Sequence, residues 1–225
     1  RLCHIALGPD RMSWAPMMWT VAIISMVVGT LMAVTSRAVK RLLAYSSVAH
    51  AGFVLTGVLG VQGSSDLAVG QLSSLQAVLL YLTTYGLTAL GAFAIVSLVR
   101  DSAGEVGDIE RWAGLGKESP WVAGAFAFLS LAMAGIPLTS GFIGKWAVFS
   151  SAMSAGAWPV VVVAVLVSGV AAYIYLKLIV VMYFRDPGVG GDTVAVVTPS
   201  ALTTAAIAVT VVATLVLGVA PDPLL

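Results

Sequence analysis

The chain reads as an all-α polytopic membrane protein with six transmembrane helices, the fourth of them broken at Gly135-Pro137. Three observations carry this reading. Of 225 residues, 60% are hydrophobic and only 9% are charged, with a mean hydropathy of +1.03, whereas a soluble domain carries about 25% charged residues. The apolar residues fall into long runs near the roughly 20 residues needed to cross a ~30 Å hydrocarbon core. Between these runs lie short segments that hold almost all of the charge.

The first run extends from about Trp14 to Ser36, the second from about Leu42 to Val61 and the third from about Ser73 to Val99. The fourth, 121–155, is too long for one straight helix, at about 52 Å for a rise of 1.5 Å per residue. Pro137 within it lacks a backbone donor and clashes with the preceding turn, and Gly135, Gly141 and Gly144 lower the cost of leaving helical geometry. Two half-helices are expected, about 121–135 and 141–155, joined by a bent link at 136–140; a simple Pro kink is the alternative. Unwound backbone at membrane depth has to be enclosed by protein or a water-filled cavity, which would place this segment inside the bundle. The fifth run extends from about Trp158 to Phe184 and the sixth from about Pro199 to Ala220.

Positive charge sets the orientation. Arg37, Lys40, Arg41, Arg100, Arg111, Lys117 and Arg185 lie on one side of the expected spans, against Arg1 and Arg11 on the other. The first group marks the cytoplasmic side, so both ends of the chain are expected to face outward. Trp14, Trp121, Trp158 and Tyr183 stand where interfacial aromatics are expected. The 100–119 loop, with Asp101, Glu105, Asp108, Glu110 and Glu118 beside its bases, reads as a short solvated amphipathic segment without chemistry. The 186–199 loop, with Pro187, Gly188, Gly190 and Gly191, reads as flexible.

Composition also excludes functions. A net charge of +1 argues against a nucleic-acid partner. The single cysteine, Cys3, excludes an intramolecular disulfide and a cysteine-based metal cluster, and His4 beside it reads as an interfacial histidine. The chain starts at Arg1 without a signal-peptide pattern and stops at Asp222-Pro223-Leu224-Leu225, and we expect it to be part of a longer protein. No phosphate loop, dinucleotide fingerprint, haem motif or nucleophile elbow is present in the sequence.

The groups that can do chemistry are then few. All 10 carboxylates, from Asp10 to Asp222, fall in loops or at span ends, which leaves no buried carboxylate pair or carboxylate sodium site within this chain. Lys145 lies in the fourth run, where an ammonium costs roughly 2.5–3.5 kcal/mol at a helix centre. With no acid in the spans, its charge has to be met by another part of the protein, by backbone carbonyls or by loss of the proton, which desolvation favours. Lys145 beside a helix break points to charge movement.

His50 is the second candidate. Ser46, Ser47 and His50 fall close to one face of the second span, a polar stripe that can hold a water chain, and histidine titrates in the working range. A packing histidine is the alternative. Tyr81 and Tyr85, i and i+4 in the third span with Thr83, Thr84 and Thr88 nearby, can extend a hydroxyl path or simply pack. Lys177 reads as snorkelling to the cytoplasmic surface. Lys40 and Arg41 at the mouth of the second span are mainly topological, with Lys40 able to gate proton entry. Gly52, Gly57 and Gly91 read as close-packing positions.

Two stretches carry a resemblance: Arg41-Leu42-Leu43-Ala44-Tyr45-Ser46-Ser47-Val48-Ala49-His50-Ala51-Gly52, and Ala134-Gly135-Ile136-Pro137-Leu138-Thr139-Ser140-Gly141-Phe142-Ile143-Gly144-Lys145. In this order, and about 100 residues apart, they resemble the antiporter-like membrane subunits of proton-pumping NADH:quinone oxidoreductase, respiratory complex I. Within that family the chain is most similar to the N-type subunit. The M-type usually places a glutamate where Lys145 stands, and the L-type has a His-rich third span where this chain has Tyr81 and Tyr85.

The resemblance implies a second antiporter-like repeat over 1–184 and a loop with a terminal transmembrane helix over 185–225. It implies that Lys145 corresponds to the lysine of the family's second broken helix, which exchanges protons with the periplasmic side, and that Lys40 and His50 correspond to polar positions at the head of the repeat. It implies no cofactor in this chain, with FMN, iron–sulfur clusters and quinone held by partner subunits. The implied partners are neighbouring antiporter-like and small membrane subunits and the lipid bilayer of a bacterial inner membrane. Proton translocation coupled to quinone reduction in those partners is the expected function. A cation/proton antiporter module without redox chemistry is the second reading. A structural scaffold is the third, and it gains nothing from a broken helix holding an internal lysine.

Overall fold

The computed structural model describes residues 11–60, 72–101, 104–186 and 195–220. Cys3, His4, Arg1, both chain ends and most of the 62–72 turn lie outside the described residues. The helices are α1 (Arg11–Thr35), α2 (Val39–Val58), α3 (Ser74–Leu98), the short α4 (Leu115–Glu118), α5 (Pro120–Ala134), α6 (Ser140–Ser154), α7 (Trp158–Phe184) and α8 (Ala201–Val219). Among the described residues, four stretches are long and apolar enough to cross a membrane: Ser13–Thr35, Ser74–Leu98, Trp158–Phe184 and Ala201–Val219.

Local sequence explains where several helices begin. Ser73 and Gln76 form a reciprocal capping box at α3, satisfying two of the backbone donors that a helix start leaves free. Ser200 accepts from the Thr203 amide at 3.2 Å at the start of α8. Pro120 and Pro159 stand in the first turns of α5 and α7, where a missing N–H costs nothing. Backbones then meet where residues are small: a Cβ at Gly29 would lie 2.5 Å from the Ala49 nitrogen. This close crossing of α1 on α2 is the kind by which membrane helices gain van der Waals contact.

Two apolar clusters fill the interior. One gathers Leu42, Ile95, Trp112, Phe126, Met133 and Leu178 among others; the second includes Trp14, Met26, Phe53, Tyr81, Val148 and Val160. Tyr85 packs against both. On the outside, Leu31, Leu79, Leu90, Leu166 and Val209 are exposed, as lipid-facing side chains are.

The 100–119 loop differs from its expectation, and so does a strictly all-α fold. Val99–Asp101 (β1), Gly104–Glu105 (β2) and Ala195–Val196 (β3) form a small antiparallel sheet in the order β2-β1-β3. Val106, Ile109, Trp112 and Leu115 are buried, and the Trp112 Nε1–H donates to the Val106 carbonyl at 3.2 Å. The segment is also tied to the start of α2, since the Val39 amide donates to Gly107 O and the Ile109 amide to Arg37 O, both at 2.8 Å.

These four apolar side chains need a buried surface, and the helix ends beneath them supply one. Three of the loop's charges pair at the surface with neighbouring elements: Glu105 with Lys40, Glu110 with Arg185, and Lys117 with Asp186. The result is a folded cap rather than a solvated linker. Of the 186–199 loop, residues 195–196 belong to this sheet, and 187–194 lie outside the described residues.

The expected interfacial aromatics differ in exposure. Trp121 and Trp158 are 90% and 61% exposed, but Trp14 is 7% exposed, inside the second cluster. Tyr183 lies with its ring over Gly116, where a Cβ would come within 2.6 Å of Cδ1, so it also anchors α4.

Candidate functional site

The link between α5 and α6 builds the centre of the site. Gly135 takes a left-handed conformation (φ 86°), which glycine adopts without steric cost. Its amide bonds Ala132 O at 2.9 Å and the Ile136 amide bonds Leu131 O at 3.2 Å, the paired bonds of a Schellman ending. Two carbonyls of the last turn, Met133 and Ala134, are left over. Pro137 has no N–H to offer them. Leu138 is left-handed despite its side chain (φ 72°), a conformation that stores strain. Thr139 is extended and leads directly into α6.

Lys145 takes those two carbonyls. Its ammonium donates to Met133 O at 3.0 Å and Ala134 O at 2.8 Å, and to Ser168 Oγ on α7 at 2.9 Å. The side chain is 5% exposed. The carbonyl end of α5 carries the partial negative charge of its helix dipole, so a helix terminus does the work of a counter-ion. Of the ways to meet this charge that the sequence leaves open, the described residues provide backbone carbonyls, joined by a hydroxyl. The Lys145 ammonium also sits 5.3 Å from the centroid of the Phe53 ring, within cation–π range.

His50 is buried one layer away. Its Nδ1 pairs with Tyr81 OH at 2.5 Å, and its ring stacks on Tyr85 with centroids 4.1 Å apart and an interplanar angle of 17°. Its Nε2 has no hydrogen-bond partner among the described residues. Tyr85 OH donates to Ser47 Oγ at 2.7 Å, and Ser46 Oγ pairs with Tyr175 OH. His50, Tyr81, Thr84, Thr88, Gly141 and Lys145 share the wall of a cavity of about 10 Å³, room for roughly one water centre. On its other side Lys145 lines an open groove of about 620 Å³ between α6 and α7, with Trp146, Phe149, Ser150, Ser154 and Ser168.

The fold thus brings together Lys145, His50, Tyr81 and Tyr85, with Gly135, Pro137 and Gly141 at the turn beneath them. Lys40 is not among them. It lies at the cap surface, paired with Glu105 and about 44% exposed along its side chain. The serine stripe splits: Ser46 faces Tyr175 on α7, whereas Ser47 faces Tyr85 on α3. Thr83, Thr84 and Thr88 each donate to a carbonyl of their own helix; Thr83 is exposed, whereas Thr84 and Thr88 line the cavity shared by His50 and Lys145. Lys177 is exposed as well.

Three residues that sequence reasoning did not single out enter the site. Ser168 and Tyr175 both lie on α7, and Phe53 stands one turn beyond His50. A serine and a tyrosine within the most apolar helix were a usable signal for the first two. A phenylalanine in an apolar run carries none.

Residues 2–171 match the family described as NADH:quinone oxidoreductase/Mrp antiporter, transmembrane. The chain belongs to that family. Among its curated relatives, subunit N of NADH-quinone oxidoreductase from Nocardioides sp. is 58% identical over 100% of this chain and 43% of its own length. The subunit N of Mycobacterium tuberculosis is 50% identical, with 41% of that protein covered.

A chain of Thermus thermophilus respiratory complex I, solved with bound aureothin, superposes with a TM-score of 0.76 at 33% identity, covering 92% of this chain and 44% of that one. The Mrp complex from Dietzia sp. shares the fold, with a TM-score of 0.77 at 23% identity over 94% of this chain and 45% of that one. The chain therefore spans about two fifths of the curated relatives it matches. For a member of this family, the described structure offers a buried lysine at a helix end, an aromatic-stacked histidine near it and a groove that the lysine lines.

Proposed function

We propose that the chain is the portion of an N-type subunit that carries the second antiporter-like repeat (1–184) and the loop with the terminal helix (185–225). In this reading it moves protons as a non-redox part of NADH:quinone oxidoreductase in a bacterial inner membrane. α2 crosses the membrane beside the four long apolar helices. α5 and α6 together form one span interrupted at Gly135-Pro137, which makes six spans in all. The charged cap faces the cytoplasm, and α6 runs outward from the break.

The single observation that carries the reading is Lys145. Its ammonium is buried against helix-end carbonyls and a hydroxyl, with no carboxylate near it among the described residues. Dipoles hold a charge less firmly than a fixed anion does, so such a group can both load and release a proton. His50 with Tyr81 supplies a titrating neighbour, and one water in the shared cavity bridges His50 and Lys145. The tyrosine and serine hydroxyls around His50 both donate and accept and deliver protons to it from the cytoplasmic side. Lys40, paired with Glu105 at the cap, gates their entry. FMN, iron–sulfur clusters and quinone belong to partner subunits. Their redox chemistry shifts the charge of neighbouring membrane subunits, and that change reaches Lys145. The subunit N identity of the curated relatives favours this reading over an antiporter acting without redox chemistry.

The test is NADH-driven proton pumping in membrane vesicles carrying Lys145→Ala in the full-length subunit, with assembly checked on a native gel. Assembled complex with pumping and coupled quinone reduction sharply reduced supports the reading. Normal pumping from the assembled variant refutes it.

A further inference from the structure

The three partners of Lys145 differ in one chemical respect. Met133 O and Ala134 O are carbonyls and can only accept hydrogen bonds, whereas Ser168 Oγ is a hydroxyl that can do either. An ammonium has three N–H donors, and the three partners match it one to one at 3.0, 2.8 and 2.9 Å. A neutral amine has two N–H donors and a lone pair. The two carbonyls still take the donors, but the lone pair then needs a donor of its own. Among the three partners, only Ser168 can supply one.

Ser168 is also the partner placed toward an opening. It is half-buried and lines the α6–α7 groove with Lys145, Ser150 and Ser154 among mainly apolar side chains such as Phe149 and Val165, whereas Met133 and Ala134 are not part of that lining. The titratable groups that share a cavity wall with Lys145 are His50 on α2 and Tyr81 and Tyr85 on α3; Tyr175 on α7 pairs with Ser46, while Lys40, Arg41 and Tyr45 lie nearer the start of α2 and Tyr173, Lys177 and Tyr183 elsewhere along α7. Among the described residues, none of these bonds to the ammonium.

We propose that Ser168 is the positioning residue that lets Lys145 exist in both protonation states and directs its proton into the groove. This rests on Lys145 being a translocation residue, as proposed above. The step balances without any other reagent than water. Lys145 Nζ–H passes its proton to Ser168 Oγ, while the hydroxyl's own proton passes to a water in the groove. Ser168 stays neutral, and its new O–H bond now donates to the amine lone pair. Reprotonation of Lys145 from the His50 side turns the hydroxyl back. Leaving the lone pair unmatched instead costs on the order of a hydrogen bond at a buried group, roughly tenfold in rate.

The experiment compares Ser168→Thr with Ser168→Val in the full-length subunit, two side chains of the same shape that differ by the hydroxyl. NADH-driven pumping is measured from pH 6 to 9 in vesicles whose complex is quantified on a native gel, with Lys145→Ala alongside. The expected result is wild-type rate and pH profile for Thr, and a rate lower by on the order of tenfold with an altered pH profile for Val. Ser168→Ala should repeat the Val result, and it serves in place of Val if that variant assembles poorly. Equal pumping by Thr, Val and Ala with Lys145→Ala inactive overturns the role of Ser168 and leaves that of Lys145 standing. Normal pumping by Lys145→Ala overturns both.

Discussion

Gly141 lies directly against the last turn of α5: a Cβ built on it would sit 1.8 Å from the Ala132 carbonyl oxygen. This contact lets α6 start beside the end of α5, and so brings Lys145, one turn further on, within reach of the Met133 and Ala134 carbonyls. A methyl group at 141 has no space unless α5 and α6 separate.

Gly141→Ala should therefore destabilise the junction by about 1–3 kcal/mol, the usual cost of overpacking, and lower the amount of assembled complex. Gly86→Ala is the control, because a Cβ there meets nothing within 4 Å. Band intensity on native gels after mild heating checks the difference. Equal behaviour of the two variants would show that the junction is looser than described.

The two tyrosines of α3 should differ in their effect. Tyr81→Phe removes the partner of His50 Nδ1, and pumping should fall roughly tenfold, the scale of one lost hydrogen bond at a buried polar group. Tyr85→Phe keeps the stacked ring, and Ser47 keeps its bond to Leu43 O at 2.9 Å, so the loss should be smaller. Initial pumping rates per assembled complex decide this, and a larger loss for Tyr85→Phe would reverse the assignment.

The cap should loosen in acid. The Lys40 ammonium hydrogen-bonded to Glu105 holds its carboxyl below the usual carboxylate range. A lowered carboxyl contributes stability above its unfolded value and loses it as pH falls through the lowered one. Lys117 does the same for Asp186. Because these pairs are exposed, the effect should be modest and weakened by salt. Hydrogen exchange of the 104–108 amides, corrected for the intrinsic rate, should speed up as pH drops from 7 to below the carboxylate range. Glu105→Gln should show the faster exchange at both ends, and an unchanged pH response in that variant would exclude the pair as the cause.

The cap depends more on Trp112 than on its ion pairs. Trp112 is fully buried, packs on Phe126 with ring centroids 5.0 Å apart and bonds Val106 O. Trp112→Ala should cost about 3–5 kcal/mol and sharply lower the yield of assembled complex, while Trp112→Phe should be milder. A Trp112→Ala subunit that assembles and withstands heating like the parent would contradict the burial described.

Much of this architecture was legible along the chain, because it depends on local properties. Long apolar runs specify helices that can cross a membrane whatever packs beside them. Gly135, Pro137 and Gly141 mark a helix end through their own backbone chemistry, and an isolated lysine in an apolar run has to find polar company.

What that company is was not legible. The Met133 and Ala134 carbonyls are open because Gly135 and Ile136 turn back onto Ala132 and Leu131, and Ser168 arrives from a helix 23 residues further along. The pairing of Ser46 with Tyr175 spans 129 positions. The cap is illegible for the same reason: a stretch rich in charge looks solvated until four apolar side chains meet the helix ends beneath it. Sequence period and composition specify each element and which face it must hide. Which faces meet depends on packing between segments far apart in the chain, and that packing decides how the charge of Lys145 is held.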